Sequence, residues 1–167
     1  FNDARFARTA PVKGYLDLRF AEAGVARADS PVILLRVTPT EVRLGAGARF
    51  PGDVLDRYRG RVAGPAGHEL QDIVDLLVRR RSADVRPTEL RRVPAGYPAD
   101  HPRADLLRRR SLQVSWSEPL PRAIGSARFV PWSARRLAGF ADLHRWLRDL
   151  VADGQDPMRT ASDNVTE

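Results

Sequence analysis

Between Tyr15 and Leu44 the chain carries three short β-prone bursts, and after Pro51 its apolar residues recur at intervals of three and four instead. This change of period constrains the fold more than any other feature, because a period of two places side chains on alternate faces of a strand and 3.6 places them along one face of a helix. The stretch Tyr15 to Phe20 alternates cleanly. It predicts a strand with Leu16, Leu18 and Phe20 on a buried face and Tyr15, Asp17 and Arg19 on the other. Pro31 to Thr38 is nearly continuous in β-formers, which suits a central strand. Pro39-Thr40 then turns the chain into Glu41-Val42-Arg43-Leu44, a third strand expected to end at Gly45 and Gly47. Short connections between such segments predict an antiparallel meander.

Beyond Pro51, Val54, Leu55, Tyr58 and Val62 share one face of a short helix that Gly64-Pro65-Ala66-Gly67 breaks. Leu70, Ile73, Val74 and Leu77 mark a second amphipathic helix, closing on Arg79-Arg80-Arg81, where cations complement the negative end of the helix dipole. From Ser82 to Tyr97 periodicity fails, and a long loop with one short extended piece is expected. Asp100 is the expected N-cap of a short helix through Leu106 and Leu107, with Pro102 in its first turn. Ser111 to Trp116 alternates as a further strand. A long final helix from about Pro131 would bury Leu137, Phe140, Leu143, Leu147 and Leu150.

Grouped strands followed by helices, without strict alternation, predict an α+β fold: a largely antiparallel sheet of four or more strands with helices packed on one face. Residues 1–152 form the expected single domain, and the polar, aperiodic stretch 153–167 is an expected disordered tail. The first residue is Phe1 and the only methionine is Met158, so a longer native N-terminus is expected.

The absence of cysteine excludes disulfides, thiolate metal sites and a cysteine nucleophile. No apolar run approaches the roughly 20 residues of a membrane span, and no basic-then-apolar leader opens the chain, so the expectation is a cytoplasmic protein without membrane contact. Gly45-Ala46-Gly47 lacks the third glycine of a dinucleotide fingerprint, no Walker loop or nucleophile elbow occurs, and His68, His101 and His144 lack metal-ligand spacing. Neither a cofactor nor a metal is expected. The three tryptophans, Trp116, Trp132 and Trp146, fall where core packing is the expected role.

Two segments, Arg5-Phe6 with Pro11-Val12-Lys13-Gly14-Tyr15-Leu16-Asp17-Leu18-Arg19-Phe20, and Pro94-Ala95-Gly96-Tyr97-Pro98-Ala99-Asp100-His101-Pro102-Arg103 running into Leu106-Leu107 and Ser111, are similar to the signatures of an uncharacterised bacterial family known as domain of unknown function 2461. The resemblance covers about residues 2–151 and implies helical sequence before the first motif. It implies no reaction. The chain departs from the family pattern at Arg8 to Lys13, which is one residue shorter and lacks an Asp-Lys pair.

Charge supplies the functional expectations. The chain has 28 basic and 21 acidic residues, net +7, and Lys13 is its only lysine. The strand residues opposite the apolar face include many guanidinium groups, which grip carboxylates or phosphates bidentately. A small anionic ligand is therefore expected on that polar face, held by Arg5, Lys13, Arg19, Arg36 and Arg43, with Tyr15, Asp17 and His101 as candidate proton-transfer groups. A compact ammonium retained in so arginine-rich a chain is expected to be functional, or buried and paired. Two further readings compete: a nucleic-acid or polyanion binder using dispersed arginines, and an interaction module whose sheet is covered by a partner.

Overall fold

A computed structural model describes residues 13–21 and 30–153. The expected tail beyond Asp153 lies outside these residues. Five strands form one antiparallel sheet in the order β1 (Leu16–Ala21), β2 (Val32–Val37), β3 (Glu41–Arg49), β5 (Ser111–Pro119) and β4 (Asp84–Val85). The first three make the expected meander, and β4 is the short extended piece of the long loop. The fold is α+β.

Directly paired residues on neighbouring strands share a face. The row Leu18, Leu35, Leu44, Trp116 thus faces the helices, whereas the row Arg19, Leu34, Gly45, Ser115 faces away from them. α1 (Gly52–Ala63), α2 (Ala66–Arg81), the single turn α3 (Ala104–Leu107), α4 (Phe129–Leu137) and α5 (Ala141–Ala152) supply the second layer. Its core joins Leu35, Val42 and Leu44 to Val62, Leu70, Leu107, Leu143, Leu147 and Leu150, all fully buried. Aromatic rings tie the layers together. Phe50 stacks on Tyr58 at 4.0 Å between centroids, Tyr58 meets Trp146 edge-on at 6.2 Å, and Trp116 stacks on Phe140 at 4.2 Å. The buried Tyr58 hydroxyl donates to the Leu106 carbonyl at 3.1 Å, and burial pushes its pKa up.

Four expectations are corrected. Leu16, Leu18 and Phe20 lie on the apolar face but are 60%, 42% and 52% exposed, because the helices pack over β2, β3 and β5 and leave the end strand uncovered. The third strand does not end at its glycines. It runs on to Arg49, since Gly45 and Gly47 have strand partners on both sides. The expected long helix is two helices joined by a 3-10 turn over Ala138–Phe140, where the chain settles Phe140 onto Trp116. α3 begins after Arg103 with no side-chain cap, so Asp100 is not its N-cap.

Candidate functional site

The sheet face turned away from the helices carries Asp17, Arg19, Arg36, Arg43, Gln113 and Ser115, as period-two alternation requires. Two kinds of neighbourhood share it. At one end, Asp17 and Arg36 are directly opposed across β1 and β2 and form a bidentate pair, Nε to Oδ1 at 2.6 Å and Nη2 to Oδ2 at 2.8 Å. The Tyr15 ring lies 4.1 Å from the Arg36 guanidinium and 5.7 Å from the Lys13 ammonium. The Arg36 hydrogen bond holds the Asp17 carboxyl below its usual range against the opposing effect of burial, with further lowering from the charges of Arg36, Arg19 and Lys13. Next to this pair, Arg43 donates to the Ser117 hydroxyl at 3.2 Å and contacts Glu41 at 3.4 Å. Of the expected ligand groups, Arg36 and Arg43 are therefore already engaged with acids. Lys13 is exposed and makes no ion pair among the described residues, so of the two expectations for it, functional or buried and paired, the second is not met. Arg5 lies outside the described residues.

Farther along the same face opens a trough of about 410 Å³, lined by Arg19, Val32, Leu34, Arg49, Arg86 and Gln113, with Ser30 and Ser111 at its margin. Gly45 and Gly47 form its floor. A side chain at Gly47 would place Cβ 2.3 Å from the Leu112 carbonyl oxygen and 2.9 Å from the Gln113 Cα, so close approach of β3 and β5 demands glycine there. The same requirement leaves the middle of the sheet without side chains, and the hollow follows.

Arg19, Arg49 and Arg86 have no hydrogen-bond or ion-pair partner for their guanidinium groups among the described residues, and all three are exposed. Arg86 is held by its backbone: its N–H donates to the Gln113 carbonyl at 2.9 Å, and its own carbonyl accepts from Nη1 of the buried Arg109. At the Arg49 end, the Ser111 hydroxyl donates to Glu89, which also accepts the Arg110 N–H at 2.9 Å. Burial opposes ionisation of Glu89, but these hydrogen bonds prevail and hold its pKa low. Arg49 and Arg86 were not legible as site residues. Arg86 follows a two-residue strand in a stretch without periodicity, and only its pairing to Gln113 brings it to the face.

His101 is elsewhere. Its Nδ1 accepts the Arg103 N–H at 3.0 Å, closing the turn before α3. Arg103, 6% exposed, then plugs the end of α1: Nε donates to the Val62 carbonyl at 2.6 Å, and Nη2 to those of Ala63 and Gly64 at 2.9 and 3.1 Å. Nη1 donates to His68 Nε2 at 3.1 Å. The Val62 and Ala63 carbonyls are orphans of a helix end, whereas that of Gly64 also accepts the Gly67 N–H at 3.1 Å, and the guanidinium serves all three at once. The Asp-His-Pro-Arg segment is thus a brace in the helical layer, and the structure does not bring His101 to Tyr15 and Asp17 on the polar face.

A profile for conserved hypothetical proteins, DUF2461, matches residues 1–146. The chain belongs to the DUF2461 family. Both segments that carried the resemblance fall within the match. The DUF2461 segment around Tyr15 to Phe20 forms the end strand and the Asp17–Arg36 pair, and the one around Gly96 to Arg103 forms the brace on α1. Neither a curated protein nor a solved structure gives a match. No helix among the described residues is long and apolar enough to cross a membrane, and no cluster of three or more His, Asp or Glu among them is arranged to hold a metal ion.

Proposed function

We propose that this DUF2461 protein binds a small anionic ligand in the glycine-floored trough of the polar sheet face. One observation carries the reading. Arg19, Arg49 and Arg86 open on the same hollow without acid partners among the described residues, whereas Arg36, Arg57, Arg61, Arg108 and Arg136 are each paired to a carboxylate. Unpaired guanidinium groups around a concavity supply both charge and directed donors to a carboxylate or phosphate. Gln113 adds an amide, while Val32 and Leu34 offer apolar contact to the body of the ligand. Asp17, held ionised by Arg36, is a poor proton donor at neutral pH.

The test is a titration at low salt with inorganic phosphate and with citrate, read by calorimetry and by the backbone amide shifts of Gly45 and Gly47. Saturable binding that shifts those amides, and that weakens at least tenfold in the double variant Arg49→Ala/Arg86→Ala, is the expected result. Absence of saturable binding, or equal affinity in the folded double variant, overturns the reading.

A further inference from the structure

We propose that β1 pairs antiparallel with β1 of a second copy of the chain, about a two-fold axis through Leu18, joining the two sheets into one of ten strands. β1 is a terminal strand six residues long, without proline, and its outer edge has no strand partner among the described residues. The opposite edge is different. β4 has only two residues, with Pro87 close behind, which is how natural sheets blunt an edge against pairing. β1 is neither so short nor interrupted by proline, and its Leu16, Leu18 and Phe20 stand exposed on the helix-side face.

The residues of β1 select one register. With Leu18 opposite Leu18 of the second copy, Asp17 faces Arg19 of that copy, Arg19 faces its Asp17, and Leu16 faces its Phe20. Each Asp17 then lies between Arg36 on the inner side and an arginine of the other chain on the outer side, so both its flanks are cationic. Sliding the dyad to Asp17 would oppose two carboxylates, and sliding it to Arg19 would oppose two guanidinium groups, each unfavourable across a strand pair. Any slip by a single residue would set apolar side chains against charged ones. Self-complementarity of this kind is what an isologous contact requires. The six apolar side chains of the two strands would also form one continuous stripe and cover one another from water.

Sedimentation velocity of the chain over a concentration series is expected to show a monomer–dimer equilibrium, and Leu18→Lys is expected to leave a folded monomer. Leu18 faces the helix side and takes no part in the trough; the pairing would engage Arg19 with Asp17 of the other copy but would not touch Arg49 and Arg86, so the anion titration of the Arg49→Ala/Arg86→Ala variant and this test can fail separately. Because the chain has no cysteine, Leu18→Cys introduces a lone thiol. It is expected to give a disulfide-linked dimer on mild oxidation, since directly opposed residues lie within disulfide reach. Leu16→Cys alone should stay unlinked, and Leu16→Cys/Phe20→Cys should link. A protein that stays monomeric, a dimer that survives Leu18→Lys, or a monomer whose β1 amides resist hydrogen exchange because another segment covers the edge would each overturn the proposal.

Discussion

Gly67 is the residue that lets Arg103 reach the end of α1. A Cβ at Gly67 would stand 2.6 Å from Arg103 Nε and 2.0 Å from the Val62 carbonyl oxygen, the two atoms joined by the shortest hydrogen bond of the brace. Arg103→Met is expected to cost about 2–3 kcal/mol, because it strands buried carbonyls without donors. Gly67→Ala should cost at least as much, and Arg103→Lys should recover only part, since a point charge cannot serve three divergent carbonyls. Urea midpoints of the three variants check this, with retained binding in the trough as the control for a role confined to stability.

The Asp17–Arg36 pair makes stability depend on acid. A carboxyl whose folded pKa is held below the unfolded value of 3.8 contributes fully above that value and loses its contribution as pH falls through the folded one. Both side chains keep some exposure, so the contribution at neutral pH is about 1 kcal/mol. Asp17→Asn should therefore unfold at lower urea than the parent at pH 7, and the two curves should converge as the pH drops below 3.8.

The glycine floor makes a graded prediction. Gly47→Ala forces Cβ onto backbone atoms of Leu112 and Gln113, and about 2–3 kcal/mol of destabilisation is expected. At Gly45 the added atom would meet the Ser115 Cβ and the Val114 carbonyl oxygen at 3.0 Å, a tighter fit than usual but a milder one, so Gly45→Ala should cost less. Chemical denaturation ranks the two, and the amide shifts of Leu112 and Gln113 report how far β5 is displaced.

Arg79, Arg80 and Arg81 are exposed at the end of α2, with the Arg81 guanidinium 5.5 Å from the Trp116 ring. Dispersed surface cations attract a duplex without a groove to hold it, so fluorescence anisotropy should show DNA or RNA binding that disappears between low and physiological salt. Sub-micromolar affinity at physiological salt, abolished by replacing the three arginines with alanine, would favour a polyanion binder over the trough.

The local periods of this chain carried much of its architecture. The α+β class, the antiparallel meander, the two faces of the sheet and the helices through Tyr58, Leu70 and Leu143 were legible because strand and helix geometry impose periods that need no neighbours to be read. The Asp-His-Pro-Arg segment was legible as a feature but not as a brace, since its role depends on carbonyls at Val62 to Gly64 that lie about forty residues away in sequence.

What depended on the tertiary structure was which surfaces are covered and which charges meet. Alternation put Leu16, Leu18 and Phe20 on the helix-side face, but whether helices extend over an end strand is a matter of layer width, and here they do not. Asp17, Arg19, Arg36 and Arg43 were all placed on one face by their spacing, whereas strand register alone decided that Asp17 opposes Arg36 and leaves Arg19 beside the trough. Arg49 and Arg86 joined that trough only through the β3–β5 pairing and the Arg86–Gln113 backbone bond. A period describes where a side chain points along its own segment; its neighbours come from contacts between distant segments, and those are settled by packing and pairing.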